Sequence, residues 1–311
     1  MYWLDSPFVK PVIKILLQDK TTKENILFAT NDYANLGEQF LAENHITVDA
    51  INMLASEIKP RVLKSREAQQ LRTKAKAEVM TPAWIVCLMN GHCDSEWFGR
   101  PDVFEHMDGQ SWQTTDAPIV FPEDKSWKSY VDDRRMEITC GEAPYIVTRY
   151  DTTTGEPLPL ERRVGFLDHK LRIVNENADT EEEWYKWAVR AFQSSYGYEF
   201  QGDNLLIARV NLLLTFCEYL EAKWLREPSR SELRRIANII AWNILQMDAF
   251  TGTIPYGEPK QPEEEWHQLS FDLFTEGKQE DKKTTPLCLI RDWRVTGTGG
   301  RALTYNSLKG E

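Results

Sequence analysis

Apolar positions are spaced differently along the two halves of the chain. In the first 75 residues they form a short run at 12–17 and a helically spaced stretch over 48–63, which Pro60 interrupts. Residues 76–136 are rich in Trp, Pro and Gly and read as an irregular region around one short helix near 82–89. Beyond this point the pattern is regular. Residues 136–140 predict a short strand ending at Gly141. Residues 180–195 predict a helix, with acids in the first turn where the helix dipole favours them. An aromatic-rich strand follows at 196–200. Residues 204–224 predict an amphipathic helix, with Leu205, Leu206, Val210, Leu213, Leu214 and Cys217 on one side. A further helix starts at Ser231 and runs to about Ile240, and a strand over 242–247 ends at Asp248.

Strands that alternate with helices imply a parallel sheet and an α/β fold. Ligands of such sheets bind beyond the carboxyl ends of the strands. Three strand ends therefore carry the chemistry. Gly141, after the first, lets a ligand approach the backbone closely. Glu199, at the second, suits a ribose, because a carboxylate accepts from two hydroxyls. At the third, Asp248 could accept from an adenine amino group and Phe250 could stack on the ring. An acid after a strand is also a common turn or helix cap, so the weight lies in all three occurring in order.

Composition narrows the setting. The 311 residues suit one large domain or a core with an extension. We divide them at 75, into an N-terminal extension and a core over 76–311. The net charge of −11 argues against a generally basic nucleic-acid coat, though local patches set the contact field. One basic run is present, with Lys59, Arg61, Lys64, Arg66, Arg72, Lys74 and Lys76 against the single acid Glu67. Phosphate contact is its functional reading and a solvated helix face its structural one. Five cysteines without a CxxC pair fit a reduced protein better than a disulfide scaffold or a zinc site. The start has no signal-peptide order, and no apolar run is long enough to span a membrane, so we expect a cytoplasmic protein.

Taken together, the motifs resemble the adenine-N6 DNA methyltransferases of restriction–modification systems, over about residues 55–300. Ala77-Glu78-Val79-Met80-Thr81-Pro82 looks like the Thr-Pro segment that precedes their sheet. Glu137-Ile138-Thr139-Cys140-Gly141 looks like their acid-x-x-Cys-Gly loop. Glu199 with the helix residues Ala208-Arg209-Val210-Asn211-Leu212 looks like their acidic strand end, and Asp248-Ala249-Phe250 like their Asp-aromatic strand end. The resemblance implies an incomplete Rossmann-like sheet, with a mixed N-terminal extension, that binds S-adenosylmethionine. It implies that Thr81 and Pro82 hold the methionine end and that Glu137, Thr139, Cys140 and Gly141 line the loop beneath it. It also implies that Glu199 binds the ribose, and Asp248 and Phe250 the adenine. Arg61, Lys64, Arg66, Arg72, Lys74 and Lys76 are the expected contacts to double-stranded DNA. The separation of Glu137 from Glu199 exceeds one compact crossover, so residues 150–179 are expected to be an insertion or an extended loop with its own helix.

The family's catalytic Asn-Pro-Pro-Tyr, which holds the flipped base, has no counterpart here. Asp5-Ser6-Pro7-Phe8 lies at the wrong end, and Thr253-Ile254-Pro255-Tyr256 follows the third strand too soon. The chain stops about where the strand leading into that motif is expected. The resemblance therefore implies the cofactor-binding portion of a methyltransferase, as a fragment or as one half of a split enzyme. A second polypeptide would then carry the catalytic motif and the target-recognition domain. The alternatives are an inactive DNA-binding, anti-restriction or assembly protein, and a restriction nuclease. The nuclease rests on Asp168-His169-Lys170 and Glu221-Ala222-Lys223 as acid-x-Lys sites. Against it, Glu221 and Lys223 are two apart on a helix and so point in different directions. His92, Cys93 and Cys87 fall short of four well-spaced zinc ligands.

Overall fold

Three short parallel strands organise the computed structural model, which describes residues 6–76, 80–258, 284–295 and 299–309. The first ordered elements are the helices α1 (Ile13–Leu17), α2 (Val48–Met53), α3 (Arg66–Lys76) and α4 (Ala83–Phe98). An antiparallel hairpin, β1 (Glu105–Asp108) and β2 (Ser111–Thr114), and helix α5 (Trp127–Asp132) follow. The sheet proper is β3 (Arg135–Glu137), β4 (Ser195–Glu199) and β5 (Ile244–Gln246), in that spatial order and all parallel. Between β3 and β4 run α6 (Phe166–Asn177) and α7 (Glu181–Gln193); between β4 and β5 run α8 (Gly202–Trp224) and α9 (Arg230–Asn243). A second antiparallel hairpin, β6 (Leu289–Asp292) and β7 (Arg301–Thr304), follows the sheet without joining it.

The helices start where local chemistry tells them to. Thr180 caps α7 by accepting from the Glu183 amide, and Glu181–Glu183 fill its first turn. Ser229 and Glu232 form a capping box at α9. That helix runs past Ile240 to Asn243 because Ala241 and Trp242 still face the core. Asn243 then spends its side-chain amide on the carbonyls of Phe192 and Ser195, so β5 is shorter than the apolar run over 242–247 predicts. Helix α4 is twice the expected length. Its apolar residues do not follow one stripe; it is fixed instead by buried Asn90, which donates to the carbonyls of Tyr145 and Val164. The helical spacing over 48–63 resolves into α2, a turn and one 3₁₀ turn at Arg61–Leu63.

Two expected boundaries differ from the structure. The first 75 residues are not a separate unit: Val9, Leu16, Ile26, Phe28, Phe40 and Ile58 belong to the same apolar core as Leu206, Phe216 and Ile240. Gln246 joins the two parts. Its Oε1 accepts from the Leu27 amide at 2.8 Å and its Nε2 donates to the Leu27 carbonyl at 2.9 Å, standing in for a strand partner beside β5. Buried Arg209 donates to the carbonyls of Ile244, Leu16 and Gln18, tying α1 to the same place. Likewise, the second half of the expected insertion over 150–179 is α6. Phe166, Leu167, Leu171, Ile173 and Val174 of this helix are buried in the main core, so it is one of the sheet's own crossover helices.

Gly202 marks the closest approach of the N-terminal segment to the sheet. Its amide donates to the Phe28 carbonyl at 2.9 Å, and a Cβ there would lie 1.9 Å from the Leu27 carbonyl oxygen. Gly202→Ala must therefore push two backbones apart. It is expected to lower stability by about 1–3 kcal/mol and to make the N-terminal segment the first site of limited proteolysis. Unchanged cleavage and an unchanged urea midpoint would contradict this packing.

Candidate functional site

The carboxyl ends of all three parallel strands open into one cavity of about 1030 Å³. Thr81, Glu137, Thr139, Cys140, Gly141, Glu199, Asp248 and Phe250 line it, so eight residues singled out from the sequence meet in one place. Pro82 does not line it. That residue precedes α4, and its carbonyl accepts from the amides of Ile85 and Val86.

The loop after β3 forms the floor. Thr139, Gly141 and Ala143 all have φ between +48° and +66°, which turns the chain back beneath the strand ends. For Thr139 and Ala143 this conformation is strained, and strain of this kind persists only where the surroundings fix it. The fixing bonds are visible. The Cys140 amide donates to the Tyr198 carbonyl at 2.8 Å, and the Gly141 amide donates to Glu199 Oε2 at 2.8 Å. Glu199 Oε1 accepts from the Gln201 amide at 3.0 Å. The ribose candidate thus also ties the floor loop to the end of β4. Glu137 accepts from the Ile146 amide, and burial pushes its carboxyl well above the usual range. Buried Cys140 has its thiol pushed up in the same way, which makes it a packing residue.

The far wall is the end of β5. Asp248 Oδ1 accepts from the Phe250 amide at 2.8 Å, so the residue does form the turn that an acid in this position commonly forms. Its Oδ2 accepts no hydrogen bond among the described residues. Phe250 stands fully exposed on the rim. On the near wall, the Thr81 carbonyl accepts from Thr152 Oγ1 at 2.8 Å, and Asp151 Oδ2 accepts from the Ala83 amide at 2.7 Å. The first turn of the expected insertion therefore holds the Thr-Pro element against the cavity. Residues 77–79 of that element lie outside the described residues.

The cavity is acidic throughout. Asp32, Glu137, Glu142, Glu199 and Asp248 line it, with no Lys, Arg or His among its described lining residues. Burial favours the neutral form of Glu137 and Arg72 neutralises Asp32, so the anionic character rests on the remaining acids, which disfavour phosphate and favour a cationic ligand. Sequence reasoning missed the wall formed by residues 29–32, together with Asn204 and Tyr145; Tyr256, weighed only as part of a remnant of the catalytic motif, also lines the cavity. Residues 29–32 follow the apolar run Ile26-Leu27-Phe28, and a polar stretch after an apolar run was the available signal.

The expected DNA contacts divide. Arg61, Lys64 and Arg72, expected at DNA, instead turn inward. The Arg61 guanidinium donates to the Gln69 carbonyl, and the residue is buried. Lys64 Nζ lies 3.2 Å from Asp203 Oδ2, and Arg72 reaches Asp203, Asp32 and Asn204. Asp203 and Asp32 neutralise Lys64 and Arg72 inside the protein, so these two do not face a phosphate backbone. Arg66 and Lys74 of α3 are exposed, and the Lys76 side chain lies outside the described residues.

The nuclease signals are also internal. Asp168 accepts from the Thr148 amide, and Lys170 donates to Ser194 Oγ at 2.8 Å. Burial alone would lower the pKa of His169, but Glu105 and Asp94 at its two ring nitrogens outweigh this and raise it to about 10. Lys223 donates to the Asn175 carbonyl. None of these forms a shared metal-binding face. No helix among the described residues is long and apolar enough to cross a membrane. Compared with known protein families, with curated proteins and with solved structures, the chain matches none of them.

Proposed function

We propose that the chain is the S-adenosylmethionine-binding portion of a DNA adenine-N6 methyltransferase and that a second polypeptide completes the catalyst. One observation carries the reading: the three strand ends of the parallel sheet converge on a single cavity with an acid at two of them and no Lys, Arg or His among its described lining residues. Dinucleotide and nucleotide-triphosphate sites need donors or cations for phosphate. This cavity suits a nucleoside that carries positive charge and no phosphate. Bound there, S-adenosylmethionine supplies an activated methyl group. Glu199 would accept from the ribose hydroxyls, and Asp248 Oδ2 would accept from the adenine amino group while Phe250 covers the ring. Thr81 and the loop from Glu137 to Gly141 would hold the methionine end. The cavity volume accommodates a ligand of that size.

The second-chain half of the reading is supported by β3. Among the described residues it pairs only with β4, and its other side borders a groove of about 1100 Å³. Leu88, Met89 and Ile138 stand exposed there. An unpaired strand edge beside apolar surface is a template for an added strand. The groove shares Glu137, Ile138 and Tyr145 with the cavity, so a strand added there would end beside the ligand. Equilibrium dialysis with labelled S-adenosylmethionine tests the reading. The intact chain should retain the label, and a large excess of ATP should leave it in place. Absence of retention, or displacement by ATP, would contradict the proposal. Methyl transfer to double-stranded DNA by the chain alone should read zero, and measurable transfer would remove the need for a second chain.

A further inference from the structure

We infer that the N-terminal loop over 29–32 is a wall of the ligand site and that Asp32 recognises the nucleoside half of the ligand; this rests on the cofactor reading above. The loop is built as a fixed wall. Gln246 grips Leu27 at both its amide and its carbonyl, and the Phe28 carbonyl accepts from the Gly202 amide. Ala29 then adopts φ +51°, a left-handed turn at a residue with a Cβ, and the chain enters the cavity wall. Asn31 Oδ1 accepts from the Ala42 amide at 3.0 Å, and Thr30 Oγ1 accepts from the Asp32 amide at 3.2 Å. The turn is therefore tied to Ala42 at Ala29 and Asn31 and braced internally between Thr30 and Asp32.

Asp32 sits at the end of this turn, with Arg72 on its carboxylate. The pair is asymmetric. The Arg72 side chain is 3% exposed and that of Asp32 is 30% exposed, so the cation is the buried half and the acid is the half presented outward. Arg72 also holds Asn204 Oδ1 at 3.2 Å, and Asn204 lines the cavity within the first turn of α8. That turn follows directly from Glu199, the acid at the end of β4. Asp32 is thereby placed on the β4 side of the cavity, where hydroxyl and amino donors of a nucleoside would meet it. Arg72 acts as a positioning residue: it fixes the carboxylate without reaching the ligand. The carboxylate offers a ligand acceptor atoms only, in keeping with the absence of Lys, Arg and His among the described lining residues.

Calorimetry on the intact chain separates this inference from the reading beneath it. The probes are S-adenosylhomocysteine and methylthioadenosine, which share adenine and ribose; only the first carries the amino-acid end. The wild-type chain should bind both. Asp32→Ala should weaken both by the same factor, about tenfold for one lost charge-assisted bond, with its thermal unfolding measured as the control for folding. Should that variant fail to fold, Asp32→Asn keeps the side-chain size and should weaken both probes in the same direction. Unchanged affinity in a folded variant would overturn the assignment of Asp32 while leaving the cofactor reading intact. A loss confined to S-adenosylhomocysteine would place Asp32 at the amino-acid end and overturn it equally. Failure of the wild-type chain to bind either probe would remove the cofactor reading, and this inference with it.

Discussion

Asp203→Ala is expected to remove about 3–5 kcal/mol of folding stability, read as a lower urea midpoint. Asp203 is completely buried at the start of α8 and accepts from Tyr33 Oη at 2.7 Å and Lys64 Nζ at 3.2 Å, with Arg72 on the same oxygen. Arg72 is buried and Lys64 half-buried, so deleting the acid leaves charge in the interior without its partner. Burial alone would raise the Asp203 carboxyl; Arg72 and Lys64 outweigh it and hold the group well below the usual carboxylate range. A depressed folded value contributes stability above the unfolded value of about 4 and loses it as pH falls through the folded value. The stability gap between wild type and Asp203→Asn should therefore be constant from neutral pH down to about 4 and shrink below it. A gap that widens on acidification would contradict the ion cluster. The effect reaches the cavity because Arg72 also holds Asp32 and Asn204 in its wall.

Glu199→Ala is expected to weaken S-adenosylmethionine binding about a hundredfold, equivalent to two lost hydrogen bonds to a charged acceptor. The reason is twofold. Glu199 is the proposed ribose acceptor, and it also receives the Gly141 and Gln201 amides, which lie at different loops. Removing it orphans both amides and frees the strained floor over Thr139, Gly141 and Ala143. Glu199→Gln should not restore binding, because an amide group has one accepting oxygen and would turn its NH₂ toward one of the two donors. Calorimetry on a folded Glu199→Ala chain reads the effect; wild-type affinity would mean that Glu199 serves the loop and not the ligand.

The regular half of the chain was legible in its pattern. The helix at Glu181–Gln193 follows from its apolar spacing and its Thr180 cap, and the strand after it from its aromatic run. The helix at Gly202–Trp224 is present as its apolar content predicts, but it is buried around most of its circumference, without a break from Leu205 to Leu213, and is not the one-sided amphipathic helix that the spacing suggests. The strand-end rule led to residues that share a cavity, because a parallel sheet brings all its carboxyl ends to one edge. The first 135 residues were less readable. Their structure depends on single long-range polar bonds, such as Gln246 with Leu27 or Asn90 with Val164, and such bonds leave no period in the sequence. The same cause explains the basic run. Spacing cannot tell an outward Arg66 from an inward Arg72, because the partner that turns Arg72 inward, Asp203, lies far along the chain.

We propose that the cavity at the three strand ends holds an adenosyl cofactor. A crystal structure of the intact chain grown with S-adenosylhomocysteine tests it most directly. The predicted result is ligand density between Glu199 and Asp248, with the ribose on Glu199, the adenine amino group on Asp248 Oδ2 and Phe250 folded onto the ring. An empty cavity at saturating ligand, or ligand bound elsewhere on the protein, would contradict the account.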